Sequence, residues 1–372
     1  MSKKKIFFVL GTRPEVIKMF PVFHLFEKDD RYEPIIVSSG QQKELSRQML
    51  AFFNLKPHYD LDIMKPDQSL TYISANLLNK MDILIKEEKP EMIFVQGDTS
   101  TAFIAGLAGF YHKIPVAHIE AGLRTFDKYS PYPEEANRAM LSTIAEFNFA
   151  PTKIAFDNLI QESRENIFVT GNTVVDALKY IEKKLDENAE KYNEEFSFIK
   201  NLDNVVLLTL HRRELAGNKL KNVLSAIRDI AADKPGYSFV YPVHFNPNVR
   251  KNVFSALKDM PNIFLIDPVS YDSLVFLMKN SKFIVTDSGG IQEEAPSFKK
   301  PVIVVRDTTE RQESIDAGIA FLTGYDPEAL KSEFYYLDDE TNYKEIVSKM
   351  KNPYGDGNSS EKIKGVVDLY FF

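Results

Sequence analysis

The chain predicts an α/β protein built from two doubly wound parallel-sheet domains, and three observations carry that expectation. At 372 residues it passes the length at which one hydrophobic core stops growing. Short runs rich in Val, Ile and Phe alternate with helix-length segments along the whole chain. These runs lack strict apolar–polar alternation, which is the pattern of strands covered on both faces rather than one.

In order, the predicted strands of the first half are Lys5–Leu10, Pro34–Ser38, Met92–Gln96, Pro115–Ile119 and Asn148–Ala150. The lysines ahead of Ile6–Leu10 imitate a signal peptide. That apolar run is short, however, and turns at once into Gly11-Thr12-Arg13-Pro14, so it reads as a first buried strand. Helix patterns fill Leu70–Lys86, Ala102–Tyr111 and Ala136–Ala145. Gly171-Asn172-Thr173 marks the expected break, giving a first domain over 1–171 and a second over 172–357. A strongly charged helical stretch, Asp176–Tyr192, follows, and the strand–helix rhythm restarts at Asn204. The second series of strands is Val205–Leu210, Ser238–Val243, Ile263–Ile266, Phe283–Thr286 and Val302–Val305, with a helix at Leu220–Ala232. The two halves share this rhythm but no sequence repeat. Asn352-Pro353-Tyr354-Gly355-Asp356-Gly357 is a dense turn signal, and the helical tail over 358–372 is placed to cross back onto the first domain. Sheets of this kind bind ligands at the carboxyl ends of their strands, so two of them predict a shared cleft.

A formal net charge of −7 leaves no basic footprint for nucleic acid and little attraction to anionic membranes. A small phosphorylated ligand, which needs only a few placed donors, remains open. No stretch approaches the roughly 18–20 apolar residues of a membrane span. With 44% hydrophobic and 27% charged residues, the composition is that of a soluble globular protein, and a cytoplasmic one is expected. The absence of cysteine excludes disulfides, thiolate metal sites and cysteine nucleophiles. No histidine pair at helix spacing is joined by a carboxylate, and no Walker loop or Gly-x-Gly-x-x-Gly fingerprint is present, so neither metal nor cofactor is expected.

Candidate chemistry gathers where strands end. Gly11-Thr12-Arg13-Pro14-Glu15 follows the first strand, with Lys18 close behind. Pro14 suits the first turn of a helix, whose free amides, with Arg13 and Lys18, would draw an anion. The alternative is a plain turn with solvated basic residues. Gln96-Gly97-Asp98-Thr99 presents Asp98 as either a catalytic carboxylate or the N-cap of the next helix. His118-Ile119-Glu120 adds a second acid, and Tyr132-Pro133-Glu134-Glu135-Ala136-Asn137-Arg138 a third, at a helix start. Glu134 and Arg138 alone would make a surface ion pair of about 0.3–0.5 kcal/mol. Three acids converging at or near strand ends on one side of one sheet point instead to proton transfer. In the second half His211 and His244 stand at strand ends, whereas His24, His58 and His112 read as structural. The sharpest element is Thr286-Asp287-Ser288-Gly289-Gly290-Ile291-Gln292-Glu293-Glu294, where a strand, two glycines and a helix make a phosphate cradle. Ser288 is an extra donor there, and Glu294 is placed for a ribose. Arg306-Asp307-Thr308-Thr309-Glu310-Arg311 closes the last strand as either a binding or a solvated loop.

Taken together, GTRPE with Lys18, QGDT, HIEAGLRT, PYPEEANR, GNTVVDAL, HRRE, YPVHFNPNVR, DSGGIQEEAP, the RDTTER run and NPYGDG resemble one family, the non-hydrolysing UDP-N-acetylglucosamine 2-epimerases. The matching segments run in order from residue 11 to residue 357. The resemblance implies two Rossmann-like domains in the glycosyltransferase-B arrangement, usually as a homodimer. It also implies interconversion of UDP-GlcNAc and UDP-ManNAc for cell-surface polysaccharides. The partners implied are thus a UDP-sugar and a second copy of the chain, with neither nucleic acid nor membrane. By motif position, Arg13, Lys18, Asp98, Glu120, Glu134, Arg138 and His211 fall on residues of catalysis or substrate handling. Ser288, Gly289, Gly290 and Glu294 fall on UDP-binding positions, and His244 and Arg311 join the expected substrate contacts.

The implied chemistry explains these residue types. The sugar C2–H has no adjacent carbonyl, so simple deprotonation is very unfavourable. Expelling UDP from C1 as C2–H breaks gives a 2-acetamidoglucal, to which UDP re-adds after protonation on the other face. Asp98, Glu120 and Glu134 would move the proton, and which of them removes it is not legible in the sequence. Arg13, His211 and the Ser288–Gly290 turn would stabilise the departing diphosphate. The chain departs from the family pattern at Leu215, at Gln312 and at Leu274, the last where an aromatic often stacks on uracil. Gln41, Gln42, Lys43, Glu44 and Asp67 differ from the usual allosteric UDP-GlcNAc site, and an acid at Asp67 predicts altered or absent activation. A glycosyltransferase on the same architecture and a silent UDP-sugar sensor are the other readings. Three clustered acids speak against the sensor.

Overall fold

The computed structural model describes residues 3–65, 68–212 and 215–372. Asp67 and the Arg213-Glu214 half of the HRRE motif lie outside them. The chain divides into two compact units, Met1–Ala177 with Tyr354–Phe372, and Leu178–Pro353.

Among the described residues the first unit holds a seven-stranded parallel sheet. Its strands are β1 (Lys4–Leu10), β2 (Tyr32–Ser38), β3 (Tyr59–Asp60), β4 (Met92–Gln96), β5 (Val116–Ile119), β6 (Phe147–Ala150) and β7 (Ile167–Val169). The second unit holds a six-stranded parallel sheet of β8 (Val205–Thr209), β9 (Ser238–Pro242), β10 (Ile263–Ile266), β11 (Phe283–Thr286), β12 (Val302–Val304) and β13 (Ala320–Leu322). Their orders are β3-β2-β1-β4-β5-β6-β7 and β10-β9-β8-β11-β12-β13. Each unit is therefore a doubly wound, Rossmann-like α/β domain, as predicted. The order reverses between β1 and β4 and between β8 and β11, and crevices for ligands open at such switch points.

The central strands carry the core. Every residue of β4 and of β8 is buried. Phe8 on β1 stacks on Phe94 of β4 with ring centroids 4.8 Å apart. The strands absent from the predicted list, β3, β7 and β13, are only two or three residues long and partly exposed. The charged stretch after Gly171 forms two helices, Thr173–Glu187 and Ala189–Glu195. Val174, Ala177, Leu178, Ile181 and Leu185 of the first make a buried stripe at helical spacing. The tail forms the helix Ser359–Phe371 and belongs to the first unit. Its first amides, Ser359 N and Ser360 N, donate to the Asp176 carboxylate at 3.2 and 2.8 Å. Further along, Tyr32 Oη donates to Asp368 at 2.5 Å and Lys364 pairs with Asp29 at 2.6 Å.

Candidate active site

The first unit's site is built from the loops leaving β1, β4 and β5. After β1 the chain turns at Gly11 into the helix Arg13–Glu27. A Cβ on Gly11 would run into Ser39 Oγ and sit 2.6 Å from Thr101 Oγ1, so only glycine fits this approach. The buried Glu15 carboxylate turns back on the loop. Its Oε2 accepts Gly11 N at 2.9 Å and Thr12 N at 2.6 Å, and its Oε1 accepts Thr99 Oγ1 at 2.6 Å. Burial pushes the Glu15 carboxyl up, and these hydrogen bonds work against that shift. Glu15 thus ties the β1 loop to the β4 loop. Arg13 is half-buried at the start of the helix, its amide 3.4 Å from Gln42 Oε1. Gln41 bears on the same region, with Oε1 accepting Thr101 Oγ1 at 2.7 Å.

Lys18, on that helix, places Nζ 2.5 Å from Glu120 Oε2, and Gln96 Nε2 donates to the same oxygen at 2.5 Å. All three side chains are buried. Glu120 follows β5 with φ of 66°, a left-handed backbone that costs a non-glycine residue about 1–2 kcal/mol. Asp98 and Glu120 leave neighbouring strand ends, since Gln96 and Ile119 are register partners. Thr99, not Asp98, caps the helix Ser100–Tyr111, its Oγ1 accepting Ala102 N at 3.0 Å. The Asp98 carboxylate instead pairs with Arg138 Nη2 at 2.7 Å, and Asn137 Nδ2 donates to the Asp98 carbonyl at 2.9 Å. Of the two readings of Arg138, the surface ion pair does not hold: Arg138 is 3% exposed and lies between Asp98 and Glu135. Glu134 opens this helix, Glu134–Ile144, one turn before Arg138.

Beneath the β4 loop lies His118, on β5 and fully buried. Its Nε2 is 2.8 Å from the Gly97 carbonyl, which can only accept, so Nε2 carries the proton. Nδ1 is buried and has no hydrogen-bond partner among the described residues. Burial, with Arg124 and Arg138 nearby, pushes the imidazole down to about 3 despite the bond to Gly97.

In the second unit the site again straddles the switch point. His211 follows β8 and Asp287 follows β11. The backbone amides of His211 and Arg212 donate to Asp287 Oδ2 at 2.9 and 2.8 Å, and His211 Nδ1 lies 3.4 Å from Oδ1. Burial raises the Asp287 carboxyl, against the pull of His211 and the two amides. The His244 ring lies nearly parallel to that of His211, with centroids 6.4 Å apart. Ser288 precedes the short helix Gly289–Glu294, and its amide donates to Thr286 Oγ1 at 3.0 Å. Arg311 does not lie in a solvated loop. Its Nε and Nη2 donate to buried Glu293 at 2.9 and 2.7 Å, and its guanidinium backs onto Gly289, where a Cβ would come within 3.0 Å of Cζ. Glu310 beside it is buried, which alone would raise its carboxyl, but Arg311 and Arg306 hold it well below the usual range. Gly290 and Glu294 complete this turn, with Glu294 buried at the helix end.

The structure thus brings Lys18 to Glu120, Asp98 to Arg138, His211 to His244, and Arg311 to Gly289. Glu15, Gln96, Glu135, Asp287 and His118 are the partners that sequence inspection did not assign. Only Glu15 carried a local signal, the Thr-x-x-Glu spacing of a capping box. Among the described residues no group of three His, Cys, Asp or Glu is arranged to hold a metal ion, and no helix is long and apolar enough to cross a membrane.

Comparison with known proteins places this geometry. The family model for UDP-N-acetylglucosamine 2-epimerase matches residues 24–368. A UDP-N-acetylglucosamine 2-epimerase of Yersinia pestis is 45% identical over 365 residues, 96% of this chain and 97% of that one. The crystal structure of UDP-GlcNAc 2-epimerase from Neisseria meningitidis, bound to UDP-GlcNAc, matches with a TM-score of 0.93 at 44% identity, over 98% of this chain and 100% of that one. A glycosyltransferase from Rickettsia africae matches at a TM-score of 0.63 over 100% of this chain and 98% of that one, but at 15% identity, a likeness of fold alone. On a match that spans nearly all of its length, the chain belongs to the UDP-N-acetylglucosamine 2-epimerase family.

Proposed function

We propose that the chain interconverts UDP-GlcNAc and UDP-ManNAc by eliminating UDP to a 2-acetamidoglucal and adding it back. The observation that carries this beyond family membership is the pair of carboxylates at adjacent strand ends, Asp98 and Glu120, each held by its own buried cation. In the forward step a carboxylate takes the C2 proton, the C2–H electrons become the C1=C2 double bond, and the C1–O pair leaves with UDP. In the return step the proton reaches the opposite face of C2 and UDP re-forms the bond at C1. Asp98, Glu120 and Glu134 are the acid/base groups of these steps, with Lys18 holding Glu120. Arg13, His211, His244 and the Ser288–Gly290 amides meet the diphosphate, where charge develops and where fixed donors contribute most. Glu294 meets the ribose, and Arg311 backs the cradle. The product supplies ManNAc units for cell-surface polysaccharides, made in the cytoplasm by a homodimer.

The test is proton NMR of the purified protein with UDP-GlcNAc in D2O. UDP-ManNAc carrying deuterium at C2 is the expected product. Free ManNAc with UDP would mean a hydrolase, and intact binding without turnover would mean another UDP-sugar or a sensor. Asp98→Asn and Glu120→Gln should abolish turnover while UDP binding, measured by calorimetry, is largely kept.

A further inference from the structure

Glu135 stands next to Glu134 yet is 4% exposed, and the reaction above gives it no task. Its Oε1 accepts the backbone amides of Thr125 at 3.1 Å and Phe126 at 3.0 Å, which fastens the loop after β5 to the helix Glu134–Ile144. Its Oε2 faces Arg138 Nη1 at 3.3 Å, an ion pair whose two atoms make no hydrogen bond. Arg138 Nη2 in turn meets Asp98 Oδ2 at 2.7 Å, while Asn137, on the same helix, holds the Asp98 carbonyl. One helix turn therefore grips Asp98 at both main chain and side chain, and one buried guanidinium is shared between two carboxylates.

We propose that Glu135 and Arg138 are positioning residues that act through Asp98, and that Arg138 is not a substrate contact. The proposal rests on the epimerase reading. Two features of the site support it. Arg138 is almost wholly enclosed, with its charge already directed to carboxylates on either side, so it has little to offer a diphosphate. Glu135 takes up part of that charge, which keeps Arg138 from clamping Asp98 alone. A carboxylate in an undiluted pair with a guanidinium is a poorer proton acceptor than one whose cation is shared. The orientation of Asp98 toward C2 likewise depends on a guanidinium fixed at both ends.

The closing experiment uses Glu135→Gln and Arg138→Lys in the full-length protein. Glutamine keeps an oxygen for the Thr125 and Phe126 amides but removes the charge that faces Arg138. The expected result for Glu135→Gln is a kcat lowered about tenfold with KM for UDP-GlcNAc within twofold. With C2-deuterated substrate its isotope effect on kcat should grow, because proton transfer becomes the slow step. Arg138→Lys, which loses the two-sided fork, should lower kcat further, again with little change in KM. A rise in KM with kcat preserved in Arg138→Lys would make Arg138 a substrate contact and overturn the proposal. Unchanged kcat in both variants, or a lowered kcat without a larger isotope effect, would overturn it too. Wild-type protein assayed in parallel separates the two levels: if it leaves C2 of UDP-GlcNAc unexchanged in D2O, the epimerase reading itself fails.

Discussion

His118 offers a direct measure of how the fold holds the loop that carries Asp98. The ring is 0% exposed, donates to the Gly97 carbonyl at 2.8 Å, and stays neutral down to about pH 3. In an unfolded chain it would take a proton near 6.5. The unfolded state therefore binds more protons than the native state between those values. The stability this residue contributes is complete above about pH 6.5 and is lost as pH falls toward 3. At about 1.4 kcal/mol per pH unit, the loss is about 2 kcal/mol at pH 5 and at most about 5 kcal/mol at pH 3. Glu15 and Asp287, raised by burial, run the other way, since what they contribute is lost as pH rises through their native values. Comparison with His118→Gln cancels them. Hydrogen exchange of the β4 and β5 amides, read by mass spectrometry at pH 7.5 and 5.0, gives the opening free energy of this unit alone. The gap between wild type and His118→Gln should narrow by about 2 kcal/mol at the lower pH. A gap that stays constant would refute the assignment of a buried neutral imidazole beneath Gly97.

Two further expectations concern the same unit. Lys18→Met strands Glu120 in the interior with Gln96 as its remaining donor from this trio, and should cost about 3–5 kcal/mol in urea unfolding. Adding Glu120→Gln should recover at least half of that loss, and simple additivity of the two changes would contradict a coupled buried pair. Gly11→Ala drives a methyl into Ser39 Oγ and Thr101 Oγ1 and should destabilise by about 1–3 kcal/mol. An unchanged Tm for that variant would show that the turn yields freely.

How much of this was legible depended on what each residue's neighbours in sequence had to do with its neighbours in space. Met92–Gln96, Ile263–Ile266 and Phe283–Thr286 were read residue for residue, since each is a short, largely apolar run between turn signals. Tyr59–Asp60 and Ala320–Leu322 were missed because an edge strand of two or three partly exposed residues is too short to stand out. Candidate site residues at strand ends stood out by the same logic, as open sheets of this kind bind ligands beyond the carboxyl ends of their strands. Pairings did not. Spacing left Arg138 open to a surface pair with Glu134 and Asp98 open to helix capping, and only the packing of the helix start on the β4 loop brings Asp98 to Arg138. Thr99, one residue on, had already taken the cap. Both outcomes are tertiary, and no local pattern encodes them.

The acids at and near the strand ends differ in what holds them, and that difference sorts them better than their positions in sequence. Glu15 accepts the amides of Gly11 and Thr12, Glu135 those of Thr125 and Phe126, and Asp287 those of His211 and Arg212. Each binds two consecutive backbone donors, and a carboxylate so bound fixes a loop, because backbone amides have no freedom to follow it elsewhere. Protonating it would leave those donors facing a neutral group, so it is poorly suited to exchange a proton during turnover. Asp98 and Glu120 are held by side chains, Arg138 in one case and Lys18 with Gln96 in the other. A side-chain donor is not tied to a backbone turn, and on the proposed reading this suits an acid that loses and regains its charge at C2. On the proposed reading, the amide-held acids set the loops at the switch points and, of the cation-held ones, Asp98 and Glu120 move the proton.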